Sequence, residues 1–99
     1  MFTAIQARNI ANEKYNHDYY KIYKRHSAAI MRGIVRSAKQ GYTSYDFSTY
    51  DAKRITMGVL KQIATELQAY GYNTRVSVEQ TSDGKRKYGY MRIDWVNAQ

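Results

Sequence analysis

Tyr19-Tyr20-Lys21-Ile22-Tyr23-Lys24-Arg25-His26-Ser27-Ala28-Ala29-Ile30-Met31-Arg32-Gly33-Ile34-Val35-Arg36-Ser37-Ala38-Lys39 is the stretch on which the fold turns. On a helical wheel at about 100° per residue it separates into two faces. Tyr15, Tyr19, Ile22, Tyr23, His26, Ile30, Gly33 and Ile34 gather on one side. Lys14, Lys21, Arg25, Arg32, Arg36 and Lys39 fall in a strip roughly 60° wide on the other. A helix packed on a core needs only the first pattern. The second aligns like charges, which repel one another unless an anion lies along them. A solvated face gives the same pattern, so the strip points to an anionic partner without naming one.

Tyr20, Met31, Val35 and Ala38 extend the apolar surface well round this helix. One face of a small sheet cannot cover all of it. Either a preceding helix folds back over it or another subunit does, and a homodimer through Tyr20, Met31 and Val35 is expected. Upstream, Thr3 and Gln6 form a capping-box pair, and Ala4, Ala7 and Ala11 continue as good helix formers. They predict a first helix from Ala4 to about Tyr15. Asn16-His17-Asp18 is a low-propensity step, read as a break or bend. Gly41 suits the left-handed position past the second helix, where Arg36 and Lys39 also complement the helix dipole.

Downstream, Tyr42 to Ser48 alternates as a strand with Tyr45 and Phe47 inward. Ser48 and Asp51 read as the opening of a helix from Ala52 to Tyr70, with Gly58 inside it and Gly71 closing it. Tyr72 is expected to fold onto Leu67. Thr74, Val76 and Val78, then Met91, Ile93 and Trp95, alternate on two strands joined at Asp83-Gly84. That turn sets Val76 opposite Met91 and Thr74 opposite Ile93, so both apolar sets share a side. It also sets Arg75 opposite Arg92, Ser77 opposite Tyr90 and Glu79 opposite Tyr88. Two opposed arginines are unfavourable alone and favourable across a phosphate; alternatively, Asp94 on the diagonal neutralises them. The predicted class is α+β, order α-α-β-α-β-β: a long N-terminal helical region and a second amphipathic helix on a small, mainly antiparallel sheet.

The 99 residues suffice for one domain with a modest core. Sixteen Lys and Arg against eight Asp and Glu leave a net charge of +8, and eleven residues are tyrosine. Cations for phosphate and ring faces for bases are what a nucleotide binder needs, although tyrosine also packs small cores with its hydroxyl outward. No cysteine is present, which fits a reducing cytosol and removes any thiolate metal site. No apolar run approaches the roughly 20 residues of a membrane span, and the start lacks a signal-peptide core. Catalysis has little support. His26 lies on the apolar face, His17-Asp18 has no third member, and there is no glycine-rich phosphate loop or nucleophile motif. No enzyme, cofactor or metal is expected.

Two resemblances bear on function. The order helix, strand, helical region, hairpin is similar to a winged-helix DNA binder, but Ala52 to Tyr70 keeps one uninterrupted period where that fold needs two helices. Thr3, Ala4 and Ala7 at the start, the step Ala38-Lys39-Gln40-Gly41, the ending Leu67, Gly71, Tyr72, and Ile93 with Trp95 together resemble small accessory proteins encoded by bacteriophages. The resemblance spans nearly the whole chain and departs from it in the basic charge of the helix. It implies a viral protein acting in the cytoplasm of a host bacterium by stoichiometric binding. The expected partner is nucleic acid or another anionic nucleotide, held by Lys21, Arg25, Arg32, Arg36, Arg75, Arg92, Tyr88 and Tyr90. The alternative is an anti-CRISPR-like inhibitor of a host or defence protein.

Overall fold

The computed structural model describes residues 3–96; Met1 and Phe2, part of the start read above, lie outside them. The elements are α1 (Ala4–Lys39), β1 (Ser44–Ser48), α2 (Arg54–Ala69), β2 (Asn73–Gln80) and β3 (Lys87–Asp94). The class is α+β, as the periodicities predict. Strand order is β1-β3-β2, with both outer strands antiparallel to β3. β1 and β2 are therefore parallel to each other, and α2 makes the crossover between them.

The expected break at Asn16-His17-Asp18 is absent: α1 is one helix of 36 residues. These residues have only weak helix propensity, about 0.5 kcal/mol each below alanine, and each keeps its backbone N–H. Lys14 Nζ lies 3.1 Å from Asp18 Oδ1, one turn on, and bridges the step. The first segment thus does not fold back over the second. The N-terminal end is capped as expected: Gln6 N donates to Thr3 Oγ1 at 3.2 Å and Thr3 N to Gln6 Oε1 at 2.8 Å. Both helices end alike, with Gly41 at φ +88° and Gly71 at φ +97°. Tyr42 N donates to Ser37 O at 3.0 Å, and Tyr72 N to Leu67 O at 3.2 Å.

Ser48 does not open α2, because it is held in β1 opposite Tyr90. The helix starts at Arg54, behind Lys53, with no side-chain cap. Asp51 instead braces the approach, its Oδ1 accepting from Lys53 N at 3.0 Å and Thr56 Oγ1 at 2.7 Å. A single helix between β1 and β2 removes the winged-helix reading.

The core lies between the two helices and one face of the sheet. Ile30 and Ile34 of α1, Val59, Leu60, Ile63, Ala64 and Leu67 of α2, and Met91 and Ile93 of β3 are buried together. Each large aliphatic side chain there contributes about 1.5–3 kcal/mol. Two glycines set the spacing. A Cβ at Gly33 would land on the Tyr45 ring, and one at Gly89 would meet Leu60 Cδ1 and Met57 Sδ at 2.8 Å. α1 and α2 run side by side in the same direction, tied by phenols. Tyr19 Oη donates to Gln62 Oε1 at 2.5 Å and lies 3.2 Å from Gly58 O; Tyr23 Oη donates to Glu66 Oε2 at 2.5 Å.

The hairpin register is the one expected, with Arg75 opposite Arg92, Val76 opposite Met91 and Thr74 opposite Ile93. The turn differs. Gly84 N donates to Thr81 O at 2.8 Å, so Ser82 and Asp83 are its central residues. Thr81 N donates to Arg86 O at 2.9 Å and closes a longer loop over Ser82 to Lys85. Lengthening the loop by one residue on each side leaves the strand pairing unchanged, which is why the register survives the different turn.

Candidate nucleic-acid interface

The basic strip of α1 is exposed along its whole length, and the fold divides it into two halves. Lys21 and Arg25 line a cleft of about 740 Å³ between α1 and the start of α2. Lys24 and Lys53 also line it, with Ile22, Ile55, Thr56 and the carboxylates of Asp18 and Asp51. Both carboxylates are engaged, Asp18 with Lys14 and Asp51 with Thr56 and the Lys53 amide. The Thr56 hydroxyl, first among several causes, holds the Asp51 carboxyl below its usual range. The four cations have no carboxylate within ion-pair distance among the described residues. The start of α2 lines the same space through Lys53, Ile55 and Thr56, and no side chain caps that helix end, whose dipole adds a partial positive charge. Such a cleft can hold a phosphate group in a strongly cationic field.

Arg32 and Arg36 sit in the other half, with Lys39, beside a shallow exposed patch of Met31 and Val35. From Lys21 to Arg36 the strip runs about 22 Å along the helix. The fold leaves these residues on one continuous surface, long enough for several successive phosphates.

The remaining predicted residues lie on the outer face of the sheet, which no helix covers. Arg75 and Arg92 are directly opposed there. The neutralising carboxylate is Asp46 on β1, opposite Arg92 on its other side, and the diagonal Asp94 expected for that role is held by Asn73 instead. Arg92 Nη1 lies 3.1 Å from Asp46 Oδ1, and Nη2 donates to Ser44 Oγ at 3.3 Å. Tyr90 Oη donates to the same Asp46 oxygen at 2.6 Å, and that hydrogen bond raises the phenol pKa. Arg92 and Tyr90 are thus already occupied. Arg75 has no carboxylate in reach among the described residues, and Tyr88 is half-buried opposite Glu79. The sheet face lies apart from the helix cleft; the two sets of residues do not form one site.

Lys24, Lys53 and the highly exposed Tyr50, in the loop leading to α2, were not singled out from the sequence. Lys53-Arg54 at a helix start was the available signal, but it gained meaning only when α1 was laid beside it. The tyrosines divide between the core and the open surface. Tyr19, Tyr23, Tyr45 and Tyr72 do so, whereas Tyr15, Tyr20, Tyr42, Tyr50 and Tyr70 are exposed. The reason is that α1 and the loops reach beyond the sheet that would cover them.

His26 is a half-buried neighbour of Phe47, ring centroids 5.3 Å apart, and burial lowers its pKa. Among the described residues no group of three or more His, Asp or Glu could hold a metal ion, and no helix is long and apolar enough to cross a membrane. No protein-family model, curated protein or solved structure matches this chain.

Proposed function

We propose that the protein binds a phosphate-bearing polyanion, nucleic acid first, stoichiometrically along α1. The single observation that carries this is the cleft, where Lys21, Lys24 and Arg25 converge with Lys53 and the uncapped start of α2 without a carboxylate of their own. A solvated face explains charges that point away from one another; it does not explain cations from two elements lining one concavity. Exposed Tyr50, next to Asp51 at the cleft, offers a ring face for a base. Arg32 and Arg36 extend the phosphate track, and Arg75 with Arg92, Tyr88 and Tyr90 forms a second, weaker surface. The resemblance in the sequence supports a bacteriophage accessory protein working in the cytoplasm of its host, by binding rather than catalysis.

A protein-binding inhibitor of a host or defence protein is the second reading, supported by the exposed Tyr20, Met31 and Val35. Salt separates the two, since phosphate contacts weaken steeply with salt and an apolar interface does not. The test is native mass spectrometry of protein purified without nuclease, followed by titration of a fluorescent oligonucleotide at several salt concentrations. Bound nucleotide and a steep salt slope support the reading. A co-purifying host protein, with no oligonucleotide binding at low salt, overturns it in favour of the inhibitor.

A further inference from the structure

β2 is an outer strand of the sheet, and no strand pairs with its open side among the described residues. Three hydrogen bonds fix which backbone groups face that side. Thr81 N donates to Arg86 O across the hairpin, while Gly89 N and Trp95 N donate toward the β1 side, to Asp51 O and Thr43 O. In an antiparallel ladder the direction alternates residue by residue. Arg75, Ser77 and Glu79 therefore turn their amides and carbonyls to β3, and Thr74, Val76, Val78 and Gln80 turn theirs outward. Folded chains guard such an edge with lysine, proline, a bulge or short length. β2 has eight residues in unbroken register, with no lysine and no proline. Val78 on this edge is 50% exposed. The other edge strand, β1, is only five residues long.

An antiparallel copy of β2 must bring outward-facing groups against outward-facing groups, so its register can change only in steps that keep a residue at the centre. Centring on Ser77 sets Arg75 against Glu79, Val76 against Val78 and Thr74 against Gln80, each twice. Centring on Val76 sets Arg75 against Ser77 and Thr74 against Val78. Centring on Val78 sets Glu79 against Ser77 and Val76 against Gln80. Only the Ser77 register pairs both the charges and the valines. Arg75 is the arginine left without a carboxylate in its own chain. Glu79 accepts from the Ser77 hydroxyl at one oxygen, 2.8 Å, and keeps the other for a guanidinium. The outer-face row then reads Asp46, Arg92, Arg75 and Glu79 of the second copy, so each arginine has a carboxylate beside it. On the helix side the valines cover each other. Lys61 of α2 is exposed there, and its long stem carries the ammonium into water.

We propose that the protein is a homodimer in which β2 pairs antiparallel with β2 of a second copy about Ser77, joining the two three-stranded sheets into one. The seam adds about eight backbone hydrogen bonds, two for each of four outward-facing pairs. It does not involve the α1 cleft, and of the residues assigned to the sheet face it engages only Arg75. Within one chain Arg75 lies against Arg92 without a counter-charge; in the pair it gains one. Removing Arg75 therefore stabilises the dilute single chain and weakens the pair. The proposal does not rest on polyanion binding.

The chain has no cysteine, which makes the register directly testable. Ser77 meets Ser77 of the second copy as a non-hydrogen-bonded pair, with Cα atoms about 4.5 Å apart, within reach of a disulfide. The expected results are a solution mass twice the 11.6 kDa of one chain for nuclease-treated protein, and oxidation of Ser77→Cys to a covalent dimer. Tyr20→Cys, exposed on α1, should stay uncoupled. Val78→Pro removes an amide that faces water in the single chain, so the fold should persist by circular dichroism while the mass falls to that of one chain. Arg75→Glu and Glu79→Arg should each weaken dimerisation about tenfold, and together restore it. A monomeric mass at high micromolar concentration, a folded and dimeric Val78→Pro, coupling of Ser77→Cys no faster than Tyr20→Cys, or no rescue by the double reversal overturns the proposal. Oligonucleotide binding by the α1 cleft is scored separately and is untouched by any of these outcomes.

Discussion

Arg92 on β3 and Asp46 on β1 meet side by side across the outer face of the sheet, Nη1 to Oδ1 3.1 Å, and Tyr90 donates to the same carboxylate oxygen. The carboxylate sits between one arginine and one phenol, and the next arginine along the row, Arg75, has none. Both partners of the ion pair are about half exposed, so the pair is weak and screened by salt. Asp46→Asn should therefore cost little stability, but it should leave Arg75 and Arg92 opposed without a counter-charge. The expected result is a small fall in melting temperature that disappears at high salt. Arg75→Thr should raise the melting temperature slightly in the free protein. A marked loss of stability in Arg75→Thr would mean that this arginine is bound within the fold.

Charge reversal on α1 tests the phosphate track. Arg25→Glu and Arg32→Glu should each weaken oligonucleotide binding across sequences and reduce the salt slope by about one contact. Lys53→Glu should act with Arg25→Glu less than additively, because both line one cleft. Fluorescence titrations at several salt concentrations provide the measurement, and unchanged slopes would return the strip to a solvated face.

Gly33 carries the contact between α1 and β1. An alanine is favoured over glycine by about 1 kcal/mol within a helix. Here its methyl would fall on the Tyr45 ring, which would have to swing out of its packed position. Gly33→Ala should lose about 1–3 kcal/mol in denaturant unfolding, the usual range for overpacking. Tyr45→Ser in the same chain should recover part of the loss. A stabilised Gly33→Ala would show that α1 sits further from the sheet.

Acid should weaken the fold through His26. Burial, first, and the neighbouring Arg25 lower its pKa in the folded state, while the unfolded chain has the ordinary 6.5. Below pH 6.5 the unfolded chain takes up a proton that the folded one resists, so stability falls as pH drops through that value. It is unaffected by this group above it. Melting temperature measured from pH 8 to pH 5 should decline on the acid side, and His26→Gln should flatten the decline. An equal decline in the variant would assign it elsewhere.

Much of this fold is legible in local pattern. The capping box at Thr3, the endings at Gly41 and Gly71, and the alternation of Thr74, Val76, Met91 and Ile93 are each decided within a few residues of chain. The strand register followed from that alternation even though the turn itself was longer. Continuity of α1 through Asn16-His17-Asp18 was less legible, because a penalty of weak propensities is easily outweighed by the intact hydrogen-bond ladder on either side. The six-cation strip was also visible in the spacing alone, because a helix repeats every 3.6 residues whatever surrounds it.

The neighbours across elements belong to the tertiary structure. Periodicity placed Lys21 and Arg25 on a face, but only the packing of α2 beside α1 brought Lys53, Ile55 and Thr56 against them. Likewise Arg92 was matched to Arg75 by the hairpin, while Asp46 came from a strand more than forty residues earlier through the β1-β3-β2 order. Side-chain spacing along one element is fixed by backbone geometry. Which elements become neighbours depends on how all the apolar faces are buried at once, and that is a property of the whole chain.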